Sequence, residues 1–277
     1  MSFALPALPS RMRTTHECTR VAWRSVALLV GLVSSLRAQT DPAFNADFDV
    51  ADRRAQTLAW TVECYSRFGL LLQSHRIASN PTRESLGPAN VCFTDGGRRV
   101  LANLSVDAAA RRLTKLLVVD LGTGAAVTTP LDTARLVNEA IAEHAAVARN
   151  VGMSDSVSAG YMPFSMRFDG DTIEVWMVKR GVFDFRQLRV GGELGYIFSP
   201  DGRTLVREVG TVQSDRQLGG PASQSTTIES REARIPSLSE LLLANMLASR
   251  GAQVTIQTAS RASTLMPGGT MWMHRPR

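Results

Sequence analysis

The spacing of apolar positions divides the chain into helical and strand-like stretches. Ala55, Leu58, Val62, Tyr65, Phe68 and Leu72 recur every three or four residues, which predicts one amphipathic helix from about Asp49, with Cys64 beside its apolar stripe. The polar stretch 39–47 before it, containing Pro42 and Asn45, is expected to be a loose leader. Residues 74–90 carry two prolines and read as a loop. Strand-like runs follow at 98–106 and 115–121, then a short one at 125–128. The turns Thr94-Asp95-Gly96-Gly97 and Gly122-Thr123-Gly124 set them apart as hairpins.

A second helix is expected from Thr129-Pro130-Leu131-Asp132 to about Arg149. Threonine is a good cap, proline suits a first turn, and an acid favours the positive end. Val137, Ile141, Ala145 and Ala148 form its predicted apolar face. A second meander begins near Met162 and turns at Asp169-Gly170-Asp171. In the strand at 172–178, Ile173, Val175 and Met177 alternate, with Trp176 on the opposite face. In the next, Leu194, Tyr196 and Phe198 share a face, and Ser199-Pro200-Asp201-Gly202 turns the chain into 203–209. Residues 210–226 read as a mobile loop. Ser237-Leu238-Ser239-Glu240 is a capping box opening a third helix that Gly251 ends. Two closing strands are expected at 254–258 and 270–274, separated by Pro267-Gly268-Gly269.

The phrase FSPDGRTL, which often joins strands of β-propeller blades, raises the question of a repeat. The turn glycines Gly97, Gly170 and Gly202 are 73 and 32 residues apart, which is no period, and a helix occupies the C-terminal part where blades would continue. The expected fold is therefore α+β: an antiparallel sheet or sheets with about three packed helices in a single domain over 39–277. A sub-division would fall near 150–160.

The first 38 residues change the charge argument. Arg11, Arg13, Arg20 and Arg24 precede an apolar run over 25–36, and Ala38 stands before Gln39 where a signal peptidase would cut. Basic, apolar, small is the order of a secretory signal, and 12 apolar residues fall short of the roughly 20 that span a membrane. Met12 offers an alternative start, and an uncleaved membrane anchor is the alternative reading of the run. The whole chain carries 31 basic and 25 acidic residues, net +6; residues 1–38 hold five arginines and one glutamate, so +2 remains for the rest. That small excess gives no basis for expecting nucleic acid.

Export bears on the cysteines. Cys18 falls within the signal; Cys64 and Cys92 remain, and two thiols in an oxidising compartment are expected to pair. They are 28 positions apart with no CxxC, so zinc is not expected.

Reactive constellations are sparse. His75, His144 and His274 are distant from one another, HExxH is absent, and Gly152-Met153-Ser154-Asp155-Ser156 lacks the last glycine of a nucleophile elbow. Asp47, Asp49 and Asp52 suit a helix start, while Asp169, Asp171 and Glu174 surround a turn; neither set has a calcium-loop pattern. No cofactor, metal or catalytic residue is assigned.

The run from RFDGDTIEVWMV through RVGGELGYIFSPDGRTLV to IPSLSELLLANML resembles uncharacterised exported bacterial proteins over about residues 160–275. Shared motifs are a strand, a hairpin opened by two glycines, and a late helix after a proline. Those proteins often carry a histidine just after the hairpin; here EVGTVQSDR has none. The resemblance implies export and brings no assignment of activity with it. The expected function is a non-catalytic interaction or structural module of the cell envelope, with an envelope or surface protein as partner. The alternative is an extracytoplasmic hydrolase whose site is assembled from distant residues.

Overall fold

A long first helix, α1 (Pro42–Gln73), touches each major layer of the fold in turn. The structure is a computed structural model that describes residues 41–277 apart from 78–80, 83–84, 129–130, 152–159, 169–171, 180–182, 184–187, 211–215, 219–222 and 270. The proposed signal, its cut between Ala38 and Gln39, the near-elbow at Ser154 and the turn at Asp169-Gly170-Asp171 lie outside the described residues.

The helix starts at Pro42, not near Asp49, so the loose leader expected over 39–47 is corrected from Pro42 onward. Phe44 and Phe48, four residues apart and fully buried, extend the apolar stripe upstream, while Ala46, Asp47 and Asp49 face water. A helix of 32 residues is about 48 Å long at 1.5 Å per residue, enough to pass several layers.

Strands β1 (Ala89–Asp95), β2 (Arg98–Asp107) and β3 (Arg112–Asp120) form a three-stranded antiparallel meander. Helix α2 (Thr133–Val151) follows. Strands β4 (Tyr161–Arg167), β5 (Ile173–Lys179), β7 (Leu194–Phe198) and β8 (Leu205–Gly210) make a second antiparallel sheet in the order β4-β5-β7-β8. The short β6 (Arg189–Val190) pairs with β9 (Arg216–Gln217). The third sheet has β10 (Ser225–Glu229), β11 (Gln253–Gln257), β12 (Arg261–Leu265) and β13 (Trp272–Pro276) in that order, with helix α3 (Leu238–Ala248) connecting β10 to β11. Residues Ala43–Arg277 form one compact unit.

Among the described residues the structure has the expected α+β fold, with antiparallel sheets, three helices and a disulfide. Details differ. Residues 210–226 contain β9 and the first residues of β10. β10 pairs in parallel with β11, because α3 supplies the crossover that a parallel pair requires. β12, absent from the expected set, stands between the two closing strands.

In α2 the cap is Asp132, whose Oδ1 accepts the Arg135 N–H at 3.0 Å; Thr129 and Pro130 lie outside the described residues. Of the predicted face Val137 and Ile141 are buried, Ala145 is half-buried and Ala148 is exposed, and the buried surface also takes in Leu136, Glu139, Ala140, Glu143 and Ala146. The apolar repeat marked one side of a helix that is buried on more than one side, because two glutamates lie on the other.

The middle sheet is covered on both sides, which explains why all of β7 and nearly all of β5 are buried in an antiparallel sheet. Ile173, Val175, Met177, Leu194, Tyr196 and Phe198 pack with Ala142 and Ala146 of α2. On the other side Phe164, Met166, Trp176 and Val178 meet Leu58 and Val62 of α1 and Leu242 of α3. Gly195 lies opposite Trp176 in the register, and a Cβ there would come within 2.6 Å of the indole. The PDG turn places Gly202 at φ 75°, against the backbone of Asn138 in α2. The hairpin that prompted the propeller question is thus a docking point for that helix.

Candidate functional site

The most unusual chemistry lies where the first and second sheets meet. β1 and β4 are neighbours but are not paired through their backbones; α2 packs across both sheets and bridges the gap. Its inward face brings two carboxylates to this seam, Glu139 at 1% exposure and Glu143 at 3%. Glu139 Oε1 receives the Nε atoms of Arg135 and Arg167, each at 2.9 Å. Glu143 has no cation among its described partners. Ser165 Oγ of β4 lies 3.1 Å from Glu143 Oε2 and 3.2 Å from the Asn90 carbonyl of β1. The Tyr65 hydroxyl of α1 also donates to that carbonyl. Asn103 of β2 completes the surroundings, donating to Asn90 Oδ1 at 2.9 Å and to the Gly87 carbonyl at 3.0 Å.

Electrostatics follow from this geometry. Burial drives the Glu143 carboxyl from its ordinary 4.5 up to about 8, with the Glu139 charge adding to the rise; hydrogen bonds from Ser165, the Asn90 backbone and Tyr65 oppose it. Near neutral pH the group is therefore largely the neutral acid. Burial, then the Glu143 charge, pushes the Tyr65 hydroxyl up as well. The other two buried glutamates are paired. Glu174 Oε2 receives Arg54 Nε and the Trp176 indole N–H, both at 2.9 Å. Glu240 receives Arg216 Nη2 at 3.0 Å and Ser230 Oγ at 2.6 Å.

The clefts lie elsewhere. One of about 270 Å³ is lined by the Gly191-Gly192-Glu193 turn, Trp176, Arg216, Arg231, Glu232 and the start of α3. Ser237 and Glu240 on its wall cap each other, the Ser237 N–H donating to Glu240 Oε2 at 2.9 Å. Burial raises the Glu240 carboxyl, while Ser230, the Ser237 backbone and Arg216 pull it down. Ser239 N–H donates to Glu193 at 3.2 Å. Arg231 and Glu232 are exposed, and their side chains have no ion-pair partner among the described residues. A second groove of about 460 Å³ runs between α1 and α3, past Trp60, Val62 and Met246.

Of the residues singled out in the sequence, Cys64 and Cys92 are joined as a disulfide, their Cα atoms 6.4 Å apart, tying α1 to β1. His75 and His144 are exposed. His274 stands 2.9 Å from Ser263 Oγ through Nδ1, a pair that sequence distance concealed. Ser263 is 1% exposed, and the imidazole is packed against Phe44 and Phe48. Burial, then the Arg261 charge, holds the His274 pKa below its ordinary value. Among the described residues no group of three His, Cys, Asp or Glu could hold a metal ion, and no helix is long and apolar enough to cross a membrane. A disulfide is compatible with an extracytoplasmic location. Trp176 belongs to the core between sheet and helices; one edge of it reaches the first cleft.

Sequence reasoning missed Glu143 and Ser165. The only signal was a glutamate pair four apart on an alanine-rich helix, Glu139 and Glu143, which a solvated face would also show. Comparison with protein-family models, curated proteins and solved structures gave no match.

Proposed function

We propose that this chain is a non-catalytic, exported module of the cell envelope that holds a ligand or partner segment at the cleft beside α3. The observation that carries the reading is how the polar groups are distributed. The cleft presents a free arginine and a free glutamate, Arg231 and Glu232, over a floor whose serine and carboxylate are engaged in capping a helix. Such a floor offers fixed dipoles and charges for holding a ligand and no prepared nucleophile. The Ser165–Glu143 pair is enclosed between packed layers away from it. Export is supported by the basic, apolar, small order of residues 1–38, by the disulfide, and by the resemblance over 160–275.

The test has two readouts on protein recovered from its native host. Intact mass is expected to begin at Gln39, with Cys64 and Cys92 resistant to thiol labelling until reduced. A mass retaining residues 1–38 with free thiols overturns the export reading. A photo-crosslinking residue at Arg231 is expected to give an adduct that the same residue at exposed Lys115 does not.

The hydrolase reading has one observation in its favour, the Ser263–His274 contact. Reaction with a fluorophosphonate probe at Ser263, lost in Ser263→Ala, would establish it in place of the first.

A further inference from the structure

We propose that Glu143 is a proton-operated closure of the seam between the β1–β3 sheet and the β4-β5-β7-β8 sheet: protonated it holds the two sheets together, ionised it lets them part. The reading is independent of what the cleft binds.

Hydrogen-bond arithmetic at the seam carries the argument. The two sheets share no backbone pairing here, so the bridge is made where the side chains of Tyr65 of α1, Glu143 of α2 and Ser165 of β4 gather at the backbone carbonyl of Asn90 of β1. Ser165 has one proton to donate and two acceptors within reach, the Asn90 carbonyl and Glu143. When Glu143 is the neutral acid, its own O–H donates to Ser165 Oγ, and Ser165 donates onward to the Asn90 carbonyl. Tyr65 supplies that carbonyl's second bond, and β4, β1 and α1 are linked through one oxygen. When Glu143 is ionised it can only accept. Ser165 turns to the carboxylate, the link from β4 to the β1 carbonyl is lost, and a charge is left between packed layers.

The surroundings do not rescue that charge. On α2 itself the neighbouring ionisable group is Glu139, of like sign, whose Oε1 takes Arg135 of the same helix and Arg167 of β4. α1 contributes the Tyr65 hydroxyl, β1 the neutral Asn90 and β2 the neutral Asn103. His144, next along α2, is exposed and on the other side. Hydrogen bonds from Ser165, the Asn90 backbone and Tyr65 offset part of that cost; the rest is relieved by hydration, and hydration requires the seam to open. A carboxyl held at about 8 when closed and near 4.5 when open ties the opening to pH.

Hydrogen exchange of the intact protein, corrected for the intrinsic pH dependence of exchange, tests this. In the wild type the opening constant read on peptides covering β1 and β4 is expected to rise roughly tenfold per pH unit between pH 5 and 7 and to level off above 8. Peptides covering β11 and β12, which follow pH only where they exchange through global unfolding, are expected to keep a smaller opening constant than the seam at every pH. In Glu143→Gln, whose amide donates as the neutral acid does, the seam peptides are expected to lose the slope. The acid carbonyl band of a protonated carboxyl in the infrared, present at pH 6 and absent in Glu143→Gln, is the second expected result. A flat seam in the wild type, opening constants in β11 and β12 equal to those of the seam, or a slope that persists in Glu143→Gln would each overturn the proposal. Should Glu143→Gln fail to fold, the wild-type profile and its infrared band decide alone.

Discussion

Glu139 and Glu143 stand one turn apart on the same face of α2, both almost wholly buried, and the protein treats them in opposite ways. Glu139 is given two arginines. Glu143 is given a serine, a tyrosine and a backbone. Both arrangements satisfy the lone pairs of a buried carboxyl, but only one compensates its charge. The difference teaches that hydrogen bonding and charge neutralisation are separate requirements: hydroxyls meet the first, and a proton must meet the second.

The strongest way to break the comparison is to take the proton away. Folded Glu143 titrates at about 8 and its unfolded reference lies at 4.5. The folded state therefore binds a proton that the unfolded state releases, and stability is lost as pH rises from 4.5 through 8. With 1.36 kcal/mol per unit, the ceiling on the loss is about 5 kcal/mol. Urea unfolding should show Glu143→Gln close to wild type near pH 5 and more stable by several kcal/mol at pH 8.5. Equal slopes for the two proteins would remove the contrast.

Next in size is Glu139→Ala, which strands Arg167 at 19% exposure and frees the more exposed Arg135. The expected cost is about 3–5 kcal/mol, toward the lower end because Arg135 rehydrates. A third test works from the far side of the seam. The disulfide joins Cys64, next to Tyr65, to Cys92, two residues past Asn90. Replacing both with serine should cost about 3–4 kcal/mol on the chain-entropy account of a loop this long. It should also raise exchange in β1 ahead of β7. The smallest effect is expected from Tyr65→Phe, which removes one donor from the Asn90 carbonyl. About 1 kcal/mol in unfolding free energy is expected, since Ser165 still reaches that oxygen.

The hairpin at Gly202, the capping box at Ser237 and Glu240, the stripe of α1 and the Cys64–Cys92 pairing were all legible in the sequence. Each rests on a short-range rule: a turn that needs positive φ, a cap that closes over three residues, a repeat of three and four, or two thiols in one chain. What was not legible had a longer range. The run over 39–47 reads as a polar leader because its one phenylalanine, Phe44, is outnumbered; only the third sheet, far along the chain, shows that Phe44 and the following Phe48 are anchors. The apolar repeat of α2 marks Val137 and Ile141, which are buried, but not the glutamate side of the helix, because glutamate counts as surface until Arg167 and Ser165 arrive from β4 to receive it. The strand at Ser225 was hidden in a polar loop because its pairing partner, β11, lies beyond a helix.

Local conformational preference thus determined, from sequence alone, many of the stretches that coil, extend and turn, and the cysteine count under expected export pointed to the pairing of Cys64 with Cys92. Tertiary structure decided which face of α2 is inside, that Ser263 meets His274, and that one glutamate is buried with cations while its neighbour is buried with hydroxyls. The reason is physical. Backbone propensity and capping depend on neighbours within a few residues, whereas the cost of burying a charge depends on every group within a few ångströms, and those groups come from four separate elements.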